Sequence, residues 1–597
     1  MTMPEPAQPE DDQALREIIS RGVNIGITFT SASLLGEDMS LADVIKLIGP
    51  LDRDSCLMLL GSLNWHCMWV EFTHEDRWQG ATPELDALIV RFLPPALRLK
   101  ARLIANDDDF ASPVSEIALL TLAGLLCRFA LKTGGMSADT QRVQHDLFRA
   151  LLGIQGGISG KSPDLWKIDE IFSRTTQVVW RNISLQNMLA RDLARLHAYL
   201  TIPEVGSGLS ESVSRWFERH LGIVGEDYQA IANSLHGAAS LRADFSDLFL
   251  RYPELERRMS RLIPLCSTTP DSVAASASGQ LKLESSDPDA INEAQRLADE
   301  FFRSPMLRVD GRVVCISSRL LFNRLHRGLH YLVAEPYQGD LDCIKQVRAE
   351  CGSLFERYIV WLFKRFLPDD KVEIIHSFRI RPAGKRQKGI EPPERDIAVV
   401  AGKCAFVFEI KSAIPNLAHR RRAEVADFVN LFGQAVSQVV SGANALMGGT
   451  AFRDVGLTKP LPRVETVVPC VVCFEPSPLR FPVALEFEDA IAAQLKSRPF
   501  DRTPGRTPVQ LFDVEGIEGF GDLFGLPTEW ELLLEAITKR SLSPHLRYKP
   551  LSRDTGAMPE GEHEGSSALP KLLVQAEKAS SKRWRELTPR GKRVTSI

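Results

Sequence analysis

Apolar residues recur at helical spacing through residues 13–265. Leu85, Leu88, Ile89, Phe92 and Leu93 share one helix face, as do Leu185, Met188, Leu189, Leu193, Leu196 and Leu200. Breaks such as Pro94-Pro95, Gly134-Gly135 and Gly206-Ser207-Gly208 divide the helices. The pattern predicts a helical domain over 13–265 with no repeat period. The most apolar run, Ile117–Cys127, lies between Glu116 and Arg128. It is far short of the ~20 residues that span a membrane, and it predicts a buried core helix.

The pattern then changes. Ser267–Asp289 is rich in Ser, Ala, Thr, Pro and Asp and has no aromatic residue, which predicts a linker or long loop over 266–290. Residues 291–344 read as a lead-in: a helix over Ile291–Arg303, then two apolar runs joined by Asp310-Gly311, then a helix with Leu320, Leu321, Leu325 and Leu329. Asp-Gly between apolar runs is a hairpin signal. From 345 to 540 the periods alternate. A helix is predicted at Gln346–Phe366, strands at Val372–Ile380, Asp396–Val400 and Ala405–Lys411, and a helix at Ala423–Leu446. A strand at Val467–Phe474, a helix at Leu485–Leu495 and a strand at Val509–Val514 follow. The order α-β-β-β-α-β denotes an α/β domain. The fold class is thus multidomain, a mostly α-helical N-terminal half followed by an α/β domain.

Charge alters this picture little. With 72 Lys and Arg against 76 Asp and Glu the net charge is -4, so a nucleic-acid partner would have to meet a local basic patch. The acidic, Pro-rich residues 1–12 predict a disordered N-terminus without targeting character. Residues 541–597 predict a flexible tail with a basic end (Lys578, Lys582, Arg583, Arg585, Arg590, Lys592, Arg593) and a short helix near Lys571–Lys578. Ten cysteines without regular spacing fit reduced thiols in the cytoplasm.

Candidate chemistry concentrates between Glu394 and Ser412. If Gly402-Lys403 is a hairpin loop, Ala401 pairs with Cys404, and counting outward sets Asp396 opposite Glu409. Opposed residues of an antiparallel pair project from one face with Cβ atoms ~5 Å apart. Lys411, two residues on, shares that face, while Phe406, Phe408 and Ile410 fall on the other as core. Two opposed carboxylates destabilise a sheet unless a cation lies between them. Mg²⁺, a hard ion with a preference for oxygen ligands, suits that place, with Mn²⁺ as a substitute. A neighbouring lysine can orient or deprotonate a water, or stabilise charge on a phosphate.

Asp396 followed by Glu409-x-Lys411 resembles the PD-(D/E)XK nuclease superfamily, the restriction-endonuclease-like fold. Gly352-Ser-Leu-Phe355-Glu356-Arg-Tyr358 is similar to the family's first helix, and Gln434 and Gln438 lie on the predicted helix after the Glu-x-Lys strand. The resemblance covers about 345–530. It implies an αβββαβ core and Mg²⁺-dependent phosphodiester hydrolysis, on DNA in preference to RNA. It also implies metal ligation by Asp396 and Glu409, with Glu356, Lys411 and Gln434 completing the catalytic set. Roles in bacterial restriction, phage defence and repair are common in the family, and the helical half would then serve specificity, a protein partner or regulation. Two positions depart: Arg395 stands where the family has proline, and Gln438 where one branch has tyrosine. The competing reading is a catalytically inactive nucleic-acid-binding or scaffold protein that keeps the fold.

Basic residues flank these carboxylates. Arg379, Arg381, Lys385, Arg386 and Lys388 precede Asp396, and Arg420, Arg421 and Arg422 follow Lys411, as candidate contacts to a nucleic-acid backbone. Other motifs are set aside. Gly156–Ser162 lacks the first glycine of a phosphate-binding loop, Gln155 standing there, and reads as a loop. Cys470 and Cys473, three apart on a strand, point to opposite faces and read as core. His326 and His330 at i, i+4 on one predicted helix lack a third metal ligand.

Overall fold

The structure, a computed structural model, describes residues 27–74, 83–105, 110–112, 114, 116–132, 140–159, 186–241, 257, 259–276, 290, 294–367, 372–381, 392–412, 425–453, 459–474, 483–523, 537 and 568–587. The chain forms two compact units. One gathers 1–168, 219–336 and 580–597; the other gathers 169–218 and 337–579. The predicted helical domain over 13–265 is therefore corrected: residues 169–218 belong to the second unit. Helical periodicity reveals that a segment buries one face, not which core receives it.

In the first unit the helix Glu116–Phe129 is the centre of the core, with every residue from Ile117 to Cys127 buried. Leu41–Ile48, Arg53–His74 and Thr140–Ser159 pack on it. Gly124 lets the 3-10 turn Gln295–Ala298 approach, since a Cβ there would come within 2.4 Å of Leu297 Cβ. Asp310 and Gly311, with φ of 50° and 76°, form the predicted hairpin turn between Met306–Val309 and Arg312–Cys315. The predicted linker is corrected at its start: Ser267–Thr268 pairs in parallel with Met306–Leu307, and Pro270–Ser276 is helical, with Val273 buried. Gly156–Ser159 close the helix Thr140–Ser159 instead of forming a loop. The predicted helix through His326 and His330 breaks at His326, whose ring stacks on Phe322 at 4.0 Å, and a new helix begins at Leu329. The C-terminal helix, Ala568–Leu587, is longer than predicted; in its last part Ser580 hydrogen-bonds Asn233 and Arg583 pairs with Asp227.

The second unit carries the sheet. Its elements are α1 (Gln186–Thr201), α2 (Leu341–Phe366), β1 (Glu373–Ile380), β2 (Glu394–Ala401), β3 (Cys404–Lys411), α3 (Val425–Gly448), β4 (Ala451–Phe452), β5 (Thr466–Cys473), α4 (Val483–Leu495), β6 (Gln510–Asp513) and α5 (Val514–Leu523). The six-stranded sheet has the order β6-β5-β3-β2-β1-β4. β1, β2 and β3 form an antiparallel meander, β5 joins β3 in parallel and β6 joins β5 in parallel. β5, and β3 as far as Phe408, are mostly apolar on both faces, as strands covered on both sides must be. Mixed pairing follows from the connections: a two-residue turn returns β2 into β3, while α3 is long enough to carry the chain back for a parallel β5.

A buried ionic cluster ties α1, α2 and α5 together. Arg195 donates through Nε and Nη2 to Glu518 Oε1 at 3.1 and 2.9 Å, and through Nη1 to Asp192 at 2.5 Å. The Tyr358 hydroxyl donates to the same Glu518 oxygen at 2.9 Å. Burial works against the Arg195 charge, but Glu518 and Asp192 hold it well above the ordinary arginine range. Among the described residues no helix is long and apolar enough to cross a membrane.

Candidate functional site

The hairpin register is the predicted one. Ala401 pairs with Cys404, and the rungs continue to Ile397↔Phe408. Gly402, with φ of 57°, supplies the left-handed turn. Asp396 and Glu409 lie one step beyond the last rung. There the Ile410 N–H donates to Asp396 Oδ2 at 2.6 Å, so a side-chain carboxylate replaces the backbone acceptor. Lys411 Nζ reaches back to Glu409 Oε1 at 2.8 Å. The structure therefore brings Asp396, Glu409 and Lys411 together. Phe406, Phe408 and Ile410 are buried, and Phe408 packs on Phe363 of α2 with ring centroids 4.6 Å apart.

Two glycines set the helices around this end of the sheet. Gly352 of α2 packs near Ser412, the residue after Lys411, and Glu356 follows one turn later. Gly442 of α3 lies so close to the sheet that a Cβ would come within 3.1 Å of Val407 Cγ1, 3.3 Å of Phe378 and 3.4 Å of Arg395.

The electrostatics record crowding of like charge. Burial raises the Asp396 carboxyl, and Glu409 and Glu356 raise it further, to about 7, against the Ile410 N–H and Lys411. Burial also raises Glu409, opposed by Lys411 and Arg395. Glu409 is 2 % exposed, and its Oε2 is buried without a hydrogen-bond partner. An orphaned carboxylate oxygen beside a second raised carboxyl fits a cation better than any neutral ligand.

Glu356 is half-buried, and its Oε1 is 2.5 Å from His376 Nε2 on β1. With Glu356 bonded to His376 and Glu409 to Lys411, the carboxylates are held by protein partners. Among the described residues no group of three or more His, Cys, Asp or Glu side chains is gathered to hold a metal ion. Asp396 and Glu409 are the pair available to one.

The remaining predicted residues divide. Gln434 is exposed on α3. Gln438, one turn later, is half-buried, with its Oε1 buried and unbonded. Arg379 is ion-paired with Glu394 at 2.8 Å and donates to the Pro392 carbonyl at 3.1 Å. Arg381 is exposed, its guanidinium 4.2 Å from the centre of the Phe452 ring. Lys385, Arg386, Lys388, Arg420, Arg421 and Arg422 lie outside the described residues.

Two residues join the site that the sequence did not single out for it. His376 lies opposite Ile397 in the β1–β2 ladder, a register that cannot be counted through the long segment between those strands. Arg395 is buried, and burial lowers its pKa while Glu409 and Asp396 favour its charge. Its departure from the proline pattern was the only signal. No protein-family model, no curated protein and no solved structure matches the chain.

Proposed function

We propose that the second unit is a metal-dependent nuclease of the restriction-endonuclease-like kind, hydrolysing phosphodiester bonds, in DNA in preference to RNA. The observation that carries this reading is the end of the β2–β3 hairpin. Asp396 and Glu409 crowd each other there, each raised by burial, with Lys411 bonded to one of them. The element order α2-β1-β2-β3-α3-β4-β5 supports it, being the αβββαβ order that the resemblance implies with one two-residue edge strand, β4, added before β5.

Asp396 and Glu409 would hold Mg²⁺ or Mn²⁺, which supplies charge neutralisation at a phosphate and a more acidic water when bound. The chain's own groups account for the rest. Glu409 keeps the Lys411 ammonium at the carboxylate pair, where it can hold a water or stabilise charge developing on a phosphate oxygen. The Ile410 N–H fixes the Asp396 carboxylate. His376 holds Glu356 at the rim, from which it can accept a proton from water. The helical unit would supply specificity or a docking surface for a partner, and roles in restriction, phage defence or repair belong to the same reading.

One observation favours the second reading, a non-catalytic nucleic-acid-binding protein: Glu356 is bonded to His376, so a third carboxylate is not converged on the pair. The test is incubation with linear, circular and single-stranded DNA and with RNA, in Mg²⁺ and in Mn²⁺. The nuclease reading expects cleavage that Lys411→Ala abolishes, and calorimetric metal binding that Asp396→Ala removes. Nucleic-acid binding with no cleavage in either metal would establish the second reading instead.

A further inference from the structure

In the first unit the helix Pro95–Ala105 has two unlike faces. Ala101 and Ala105 are buried, and Leu97 and Ile104 pack partly into the core. Leu99 and Leu103, one turn apart, are 69 % and 65 % exposed and make an apolar stripe on the outside. A single exposed leucine is ordinary on a surface, but a stripe at helical spacing is the form in which one helix receives another. Positive charge borders it. Arg98 donates to the Leu93 and Val90 carbonyls at 3.0 and 2.9 Å, and Lys100 to the Leu34 carbonyl at 3.1 Å. Those acceptors are neutral, so both side chains keep their charge, whereas Arg102 is paired with Asp86 at 2.8 Å. A second copy seated here about a two-fold axis would bring these cations against their own likes. The fitting occupant is apolar along one edge and acidic beside it.

The chain itself carries such a segment. Leu15, Ile18 and Ile19 recur at i, i+3 and i+4, and Glu10, Asp11, Asp12 and Glu17 accompany them against Arg16. The segment belongs to the same unit. Its reach follows from the strand Ile27–Thr28, which pairs in parallel with Phe110–Ser112, Ile27 beside Phe110. Parallel pairing brings the chain before Ile27 alongside the chain before Phe110, which has just left the helix at Ala105. From Leu103 to Phe110 is at most about 21 Å, two residues of helix and five of extended chain, and a neighbouring strand adds about 5 Å. The eight residues from Ile19 to Ile27 span up to about 28 Å, enough to cover that distance.

We propose that residues 10–19 cover this stripe within the same chain, with Leu15, Ile18 and Ile19 against Leu99 and Leu103 and the acidic residues toward Arg98 and Lys100. The proposal stands apart from the metal-dependent reading, since no residue of the sheet takes part in it.

The test is hydrogen–deuterium exchange of the full chain, read on residues 13–21. It compares wild type with a surface variant, Leu99→Glu with Leu103→Glu, and a segment variant, Leu15→Glu with Ile18→Glu. Leu99 and Leu103 are exposed, so the surface variant spares the core. Wild type is expected to exchange about tenfold or more slowly there than either variant. A fluorescein-labelled peptide of residues 8–21 should bind the segment variant, whose own copy is disabled, and should bind neither wild type nor the surface variant. Wild-type exchange as fast as in the surface variant would overturn the proposal, and so would slow exchange that survives Leu99→Glu with Leu103→Glu. Peptide binding to wild type as tight as to the segment variant would show a stripe open to an acidic helix of another protein. Exchange that slows as chain concentration rises would assign the stripe to a second copy. Either result overturns cover by the chain's own segment.

Discussion

Lys411 reaches back 2.8 Å to Glu409, two residues earlier on the same strand and almost wholly buried. The lysine thus neutralises the carboxylate it stands beside. Replacing it by methionine would leave Glu409 buried without its nearest cation, though Arg395 still favours its charge. Lys411→Met is expected to abolish cleavage, by about 10²–10³-fold or more, and to cost about 1–3 kcal/mol of stability without metal. A nuclease assay and a urea melt measure both; unchanged cleavage would remove Lys411 from the chemistry.

The raised Asp396 carboxyl has a direct consequence for stability. Its pKa lies near 7 in the fold against 3.8 for an ordinary Asp side chain. Between those values the folded chain binds more protons than the unfolded one, so stability falls as pH rises from about 4 to about 7. Above that window Asp396→Asn should be more stable than wild type in EDTA, by on the order of 2–4 kcal/mol. Mg²⁺ should restore the wild type and not the variant. Thermal melts with EDTA and with Mg²⁺ at about pH 5 and pH 8 read the crossing. A variant less stable than wild type at the higher pH would contradict the buried-carboxylate account.

The Arg195 cluster supplies a third expectation. Arg195→Leu strands Glu518 and Asp192 in the interior and should cost about 3–5 kcal/mol. Replacing Glu518 by leucine as well removes one stranded charge and should recover part of that loss. Denaturant curves for both variants give the comparison, and additive losses would show that the two residues do not act together.

Gly442 tests the seating of α3. Gly442→Leu must displace Val407, Phe378 or Arg395 and should cost about 1–3 kcal/mol. Because Arg395 bears on Glu409, the same change should alter metal affinity, which calorimetry measures alongside stability. A stable variant with wild-type metal binding would show that the helix approaches less closely than described.

Much of the second unit was legible before any coordinates. Gly402-Lys403 between two β-rich runs fixed a register, and the register carried Asp396, Glu409 and Lys411 to one end of one hairpin. Local turn chemistry suffices there because few residues separate the partners. Long-range partners were not legible. Nothing in the helical period of Gln186–Thr201 says that Arg195 meets Glu518 more than 300 residues later. The two-residue edge strand Ala451–Phe452 is too short for a period. His376 was hidden behind the segment that separates β1 from β2.

α2 presents Glu356 to His376 and, two residues later, Tyr358 to Glu518. Two residues of helix is a turn of about 200°, so one rod meets the edge of the carboxylate pair on one side and the hidden salt cluster on the other. Inserting a single alanine between Asp340 and Gly352 would leave both contacts intact if the added residue is absorbed at the helix start. The same alanine placed between Phe355 and Glu356 would rotate both away together. Evolution can therefore lengthen this helix at its beginning, but its middle is clocked to the sheet and to the interior at once.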